Sequence, residues 1–139
     1  MKKFNFRYIV AGILFALLTI RLFYVFDSPI PYQLCALFYV YTSCVYFGAA
    51  LSDSRITWIS VEFIMSCLFF WFDFLGLLYS PIWLIVGYIL HGIWDMLHHP
   101  KIIKTKVINW FPPICATFDF VVALFILRFF LMEKYILRG

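Results

Sequence analysis

The sequence predicts an all-α membrane protein, a polytopic bundle of about five transmembrane helices with a cytoplasmic N-terminus. Three observations carry that prediction. Of the 139 residues, 65% are apolar and only 13% charged, and mean hydropathy is +0.97, whereas soluble domains are about half apolar and a quarter charged. The apolar residues gather into five runs, each close to the ~20 residues that cross about 30 Å of hydrocarbon. Prolines, polar turns and most of the charges fall between those runs. No polar stretch is long enough to fold alone, so residues 1–139 form a single domain.

The first helix is expected over residues 8–26. Met1-Lys2-Lys3 before it resembles the start of a signal peptide, but no A-x-A site follows, so the helix is read as retained. It ends at Asp27-Ser28-Pro29-Ile30-Pro31, whose prolines break one helix and start the next. The second helix covers residues 32–51 and carries Tyr41, Thr42, Ser43 and Cys44; the polar turn Ser52-Asp53-Ser54-Arg55 follows. The third occupies residues 56–79, and Ser80-Pro81 starts the fourth, with serine as cap and proline in the first turn. The stretch Leu75 to Ile82 suits either a tight turn or a re-entrant bend. The fourth helix runs over residues 81–99, because Pro100 forbids its simple continuation. A basic loop, Lys101 to Lys106, leads to the fifth helix, residues 110–132.

Lys2, Lys3, Arg7, Arg55, Lys101, Lys104 and Lys106 all fall on one side of such a bundle, and outside the helices only Lys134 and Arg138 fall on the other. The positive-inside rule makes the crowded side cytoplasmic and the protein a multi-pass protein of the inner membrane. The net charge of +4 therefore reads as topology; the partner it implies is the lipid bilayer, not nucleic acid. Cys35, Cys44, Cys67 and Cys115 lie far apart in apolar runs with no C-x-x-C, which excludes a thioredoxin-like motif and suits free, packed thiols.

The polar residues inside these helices are few. All three histidines, with Asp95 and Trp94, sit in the stretch Gly87-Tyr-Ile-Leu-His91-Gly-Ile-Trp94-Asp95-Met-Leu-His98-His99-Pro100. At about 100° per residue His91, Asp95 and His98 fall within roughly 60° of one another. Counting about 1.5 Å per residue from the cytoplasmic side, Glu62, His91 and Asp119 reach similar depths, roughly 10–13 Å, with Asp95 one turn shallower and Cys115 one turn below Asp119. On the third helix Trp58, Glu62, Ser66, Phe69, Asp73 and Gly76 share one face. A second polar group, Arg21, Asp73 and Arg128, lies in the other half, where Arg21 and Asp73 are expected to pair. An unpaired Asp or Arg at a helix centre costs about 2.5–3.5 kcal/mol, so such groups bind, pair or face water.

Three chemistries suit this set. In the first, His91, Asp95, His98 and His99 bind zinc or iron, and Glu62 or Asp119 is a further ligand or the catalytic acid/base. In the second, a metal-free pocket binds a lipid or isoprenoid-like ligand, with Trp58, Tyr88, Trp94, Trp110 and Cys115 around it and a buried carboxyl beside a histidine doing acid–base work. In the third, the network is structural, with His98 and His99 capping the end of their helix and His91 holding the bundle together. A transporter is less attractive, since no inverted repeat or paired broken helices are present.

The H-x-x-x-D-x-x-H-H spacing from His91 to His99 resembles the histidine boxes of membrane desaturases and hydroxylases, which implies iron; here Asp95 stands in place of a second histidine and there is a single box. The architecture is similar to that of five-helix sterol isomerases of the emopamil-binding type, which use acidic residues, His and Trp around an apolar ligand. From Phe47 to Leu127, four elements resemble a family of small bacterial integral membrane proteins of unestablished function. They are Phe47-Gly-Ala-Ala-Leu-Ser-Asp-Ser-Arg55, Glu62, His91-Gly-Ile-Trp94-Asp95-Met-Leu-His98-His99 and Trp110-Phe-Pro-Pro-Ile-Cys115-Ala-Thr-Phe-Asp119. That resemblance implies the same marked positions, H-x-x-W-D-x-x-H-H above all, and no particular reaction.

Overall fold

The computed structural model describes residues 5–52, 54–98 and 101–136. Five helices form in chain order: α1 (Phe6–Phe23), α2 (Ile30–Leu51), α3 (Ile56–Leu78), α4 (Pro81–His98) and α5 (Phe111–Ile136), with no strand among the described residues. Each boundary has a local cause. Asn5 caps α1, its side chain accepting from the Arg7 N–H. That helix stops three residues before Phe26, because the Val25 and Phe26 amides turn to the carbonyls of Leu22 and Phe23 and tighten the last turn. Only Tyr79 and Ser80 connect α3 to α4, which makes the junction a tight turn. α5 runs past Met132 to Ile136, since Glu133 and Lys134 are good helix formers and Glu133 Oε2 accepts from the Tyr32 hydroxyl at 2.6 Å.

α4 ends in the paired bonds of a Schellman motif: the Lys101 N–H donates to the His98 carbonyl and the Ile102 N–H to that of Leu97. Lys101 has φ 60°, a left-handed conformation usually given to glycine, which costs a side-chain-bearing residue about 1–3 kcal/mol.

Around the bundle the order is α1, α5, α4, α3, α2, with α4 against α5 the most extensive seam; α2 closes on α1 and also touches α4 and α5. α1 approaches α5 closely at Gly12, where a Cβ would lie 2.6 Å from the Ile114 carbonyl oxygen. α1 makes no contact with α3, so the expected Arg21–Asp73 pair does not form. Arg21 and Arg128 are exposed, and Asp73 is buried without an ion pair among the described residues.

Four helices (α1, α2, α3 and α5) are long and apolar enough to cross a membrane. In α4 the polar residues that break the apolar run all point inward: His91, Asp95 and His98 are buried while Ile89, Ile93 and Met96 are exposed. The same inversion holds in α3, where Glu62, Ser66, Phe69, Asp73 and Gly76 are buried and Phe63, Ile64, Phe70, Trp71 and Phe74 face out. Exposed apolar faces of this extent exceed what a water-soluble monomer carries. The chain is a multi-pass membrane protein.

Candidate functional site

The deepest polar residues come from α4 and α5. His91 and Asp95, one turn apart on α4, and Asp119 on α5 are each 0% exposed. His91 Nδ1 lies 2.6 Å from Asp119 Oδ2 and 3.6 Å from Asp95 Oδ2. The three side chains each offer a ligand atom within 4.8 Å of the others, a spacing that could hold a metal ion. Phe69, Tyr39 and Tyr46 surround the His91 ring at centroid distances of 4.8, 5.8 and 5.9 Å, which excludes water from the apolar sides. Gly87 makes room for this packing, since a Cβ there would meet the Tyr39 hydroxyl at 2.9 Å.

What sets this cluster apart is how much of it lacks a partner. His91 Nε2, both oxygens of Asp95, Asp119 Oδ1 and the hydroxyls of Tyr39 and Tyr46 are buried with no hydrogen bond. Buried polar atoms are normally paired, and an Asp at depth costs about 2.5–3.5 kcal/mol. His91 faces both carboxylates through Nδ1, so a metal held by all three residues would take the place of the Nδ1 proton shared with Asp119.

One or two turns nearer the end of the bundle, a second network has every partner it needs. Glu62 Oε1 accepts from the Thr105 hydroxyl at 2.6 Å and lies 2.8 Å from His98 Nε2, while Oε2 accepts from Trp94 Nε1–H at 3.2 Å. His98 Nδ1 is 3.0 Å from the Trp94 carbonyl, which can only accept, so Nδ1 carries a proton. Across Nε2 and Glu62 one further proton is shared, giving either imidazolium and carboxylate or imidazole and carboxylic acid. The Tyr46 ring separates the two networks, 4.3 Å from the His98 ring and 5.9 Å from that of His91.

The residues expected to act together are thus distributed over two centres. His91, Asp95 and Asp119 meet; His98 joins Glu62 with both ring nitrogens engaged; His99 lies outside the described residues. The expected pocket walls do not share one surrounding. The Tyr88 hydroxyl donates to the Cys35 carbonyl at 2.7 Å, Trp94 bonds Glu62, Cys115 is buried one turn before Asp119, and Trp58 is half-buried beside Arg55. All four cysteines are free, as expected from their spacing. Sequence reasoning missed Tyr39, Tyr46 and Thr105. The two tyrosines had a legible signal: Tyr32, Tyr39 and Tyr46 recur every seven residues and form one stripe of α2.

A family model, described as a family of unknown function (DUF6010), matches residues 7–132. The chain belongs to this family. The match takes in α2, α3 and α4 and most of α1 and α5, so both polar networks of this DUF6010 member lie within it. No curated protein and no solved structure matches the chain.

Proposed function

We propose that this DUF6010 protein binds one divalent metal ion, zinc or iron, at His91, Asp95 and Asp119, and is a metal-dependent enzyme of the cytoplasmic membrane acting on a lipid-like substrate. The observation that carries the reading is the convergence of one imidazole and two carboxylates, all fully buried, from two helices on one point, with both Asp95 oxygens and Asp119 Oδ1 lacking a hydrogen bond. One imidazole and two carboxylates form a donor set for zinc or iron. A divalent cation also balances two carboxylates with which no Lys or Arg pairs among the described residues. A three-residue set leaves coordination positions open, as catalytic sites do, and such an ion supplies Lewis-acid or water-activating chemistry. Tyr39 and Tyr46 place hydroxyls beside that position. We further take H-x-x-W-D-x-x-H-H as the signature of a bacterial family.

The Glu62 network supports a different role for its members. Fully satisfied, it ties α3, α4 and the α4–α5 loop together, and we assign it to holding the end of the bundle.

Metal analysis of the full chain, purified in detergent without chelator, tests the metal reading. Stoichiometric zinc or iron is expected, lost in His91→Gln and Asp119→Asn. A chelator should lower the thermal midpoint of the wild type and leave that of both variants unmoved. Wild-type protein that is folded, metal-free and unable to take up either ion would overturn the reading.

A further inference from the structure

Lys101, Lys104 and Lys106 line a cavity of about 670 Å³ at the α4–α5 loop, together with His98, Thr105 and Asn109. Among the described residues no carboxylate lines it, and none of the three lysines has an ion pair. Beside it lies a second cavity of about 270 Å³, apolar, walled by Val45, Ala49, Trp110 and Phe111. The two share Lys106, Val107 and Ile108 as a common wall, and the three lysines around the first are exposed.

The positive-inside rule accounts for lysines in this loop. It does not require three of them to line one cavity, nor that cavity to share a wall with an apolar one. It also leaves unexplained why Lys101 occupies the left-handed position at which glycine is the unstrained choice. Backbone strain kept at a residue that lines a cavity is a mark of function.

We propose that these adjoining cavities bind one anionic phospholipid, its phosphate among Lys101, Lys104 and Lys106 and the start of its acyl chain along Val45, Ala49, Trp110 and Phe111. A free phosphate would use the first cavity alone; an anionic lipid uses both, and the bilayer supplies it at the depth of the second. The assignment is independent of a metal at His91.

The test is titration of the full chain in detergent with dihexanoyl phosphatidic acid, with dihexanoyl phosphatidylcholine as the control and inorganic phosphate as competitor. Phosphatidic acid should bind more tightly than phosphatidylcholine, and each lysine removed should weaken it roughly five-fold. The double variant Lys104→Gln, Lys106→Gln is therefore expected to lose about 25-fold. Lys101→Gly separates binding from folding: it relieves the strained backbone, so the thermal midpoint should hold or rise while affinity falls roughly five-fold. Equal binding of the two lipids, or unchanged affinity in the folded Lys101→Gly variant, would overturn the proposal. Inorganic phosphate competing as strongly as the lipid would overturn the lipid assignment.

Discussion

A buried hydroxyl without a partner costs about 1–3 kcal/mol, and Tyr39 and Tyr46 both carry one beside His91. That makes Tyr46→Phe a sharp probe of whether the centre is built for an occupant. In protein stripped by chelator, the substitution should raise stability by about 1 kcal/mol, because it deletes an unsatisfied group and little volume. In metal-loaded protein the same change should be neutral or destabilising, since the hydroxyl then has an ion or its bound water to address. Thermal denaturation of both forms measures this; equal stabilisation in the two would show that the hydroxyl serves no ligand. His91, Asp95 and Asp119 were legible at this scale because charge in an apolar run is rare and costly. Their partners were not. Whether His98 turns to Asp95 or to Glu62 depends on rotamers and neighbouring helices, and Thr105 enters only through the path of the loop.

Among the elements, α3, α4 and the loop beyond α4 meet at Glu62. Glu62→Ala would leave Trp94 Nε1–H, the Thr105 hydroxyl and His98 Nε2 without their shared acceptor, at a cost of about 3–5 kcal/mol, as for breaking a buried pair. The expected readout is a lower thermal midpoint with faster hydrogen exchange at loop amides 101–110, while α1 and its seam with α5 stay protected. Glu62→Gln should recover most of that loss. Its amide oxygen can accept from Trp94, and its NH₂ can donate to a neutral His98 imidazole. Recovery marks a clasp; a variant that refolds fully yet leaves the loop amides exchanging fast would contradict it. The inward face of α3 was readable from periodicity alone, since Glu62, Ser66, Phe69, Asp73 and Gly76 are all buried. Which helix that face meets was not. Arg21 and Asp73 were matched by depth and sign, but α1 packs on α5 through Gly12 and never reaches α3. Depth is a one-dimensional quantity, and helix order around a bundle is set by side-chain fit.

For the molecule as a whole, the apolar exterior and the polar clusters buried within leave one question of topology, and α4 decides it. α1, α2, α3 and α5 are each apolar enough to span alone; α4 carries His91, Asp95 and His98 and relies on α3 and α5 to cover them. Its 18 residues rise about 27 Å, close to the hydrocarbon thickness. If α4 crosses, five spans put the two ends of the chain on opposite faces, with Lys101, Lys104 and Lys106 on the same face as Arg7 and Arg55. Cysteine labelling reads this directly. Cys35 and Cys115 are buried, so replacing exposed Cys44 and Cys67 with alanine gives a quiet background. In intact cells a membrane-impermeant maleimide should label Tyr135→Cys, and should reach Asn5→Cys and Lys104→Cys only after permeabilisation. Asn5→Cys and Tyr135→Cys labelled from the same face would mean that α4 does not cross. The His91 centre would then lie in a helix that enters and leaves by one surface, open to substrates from water instead of from lipid.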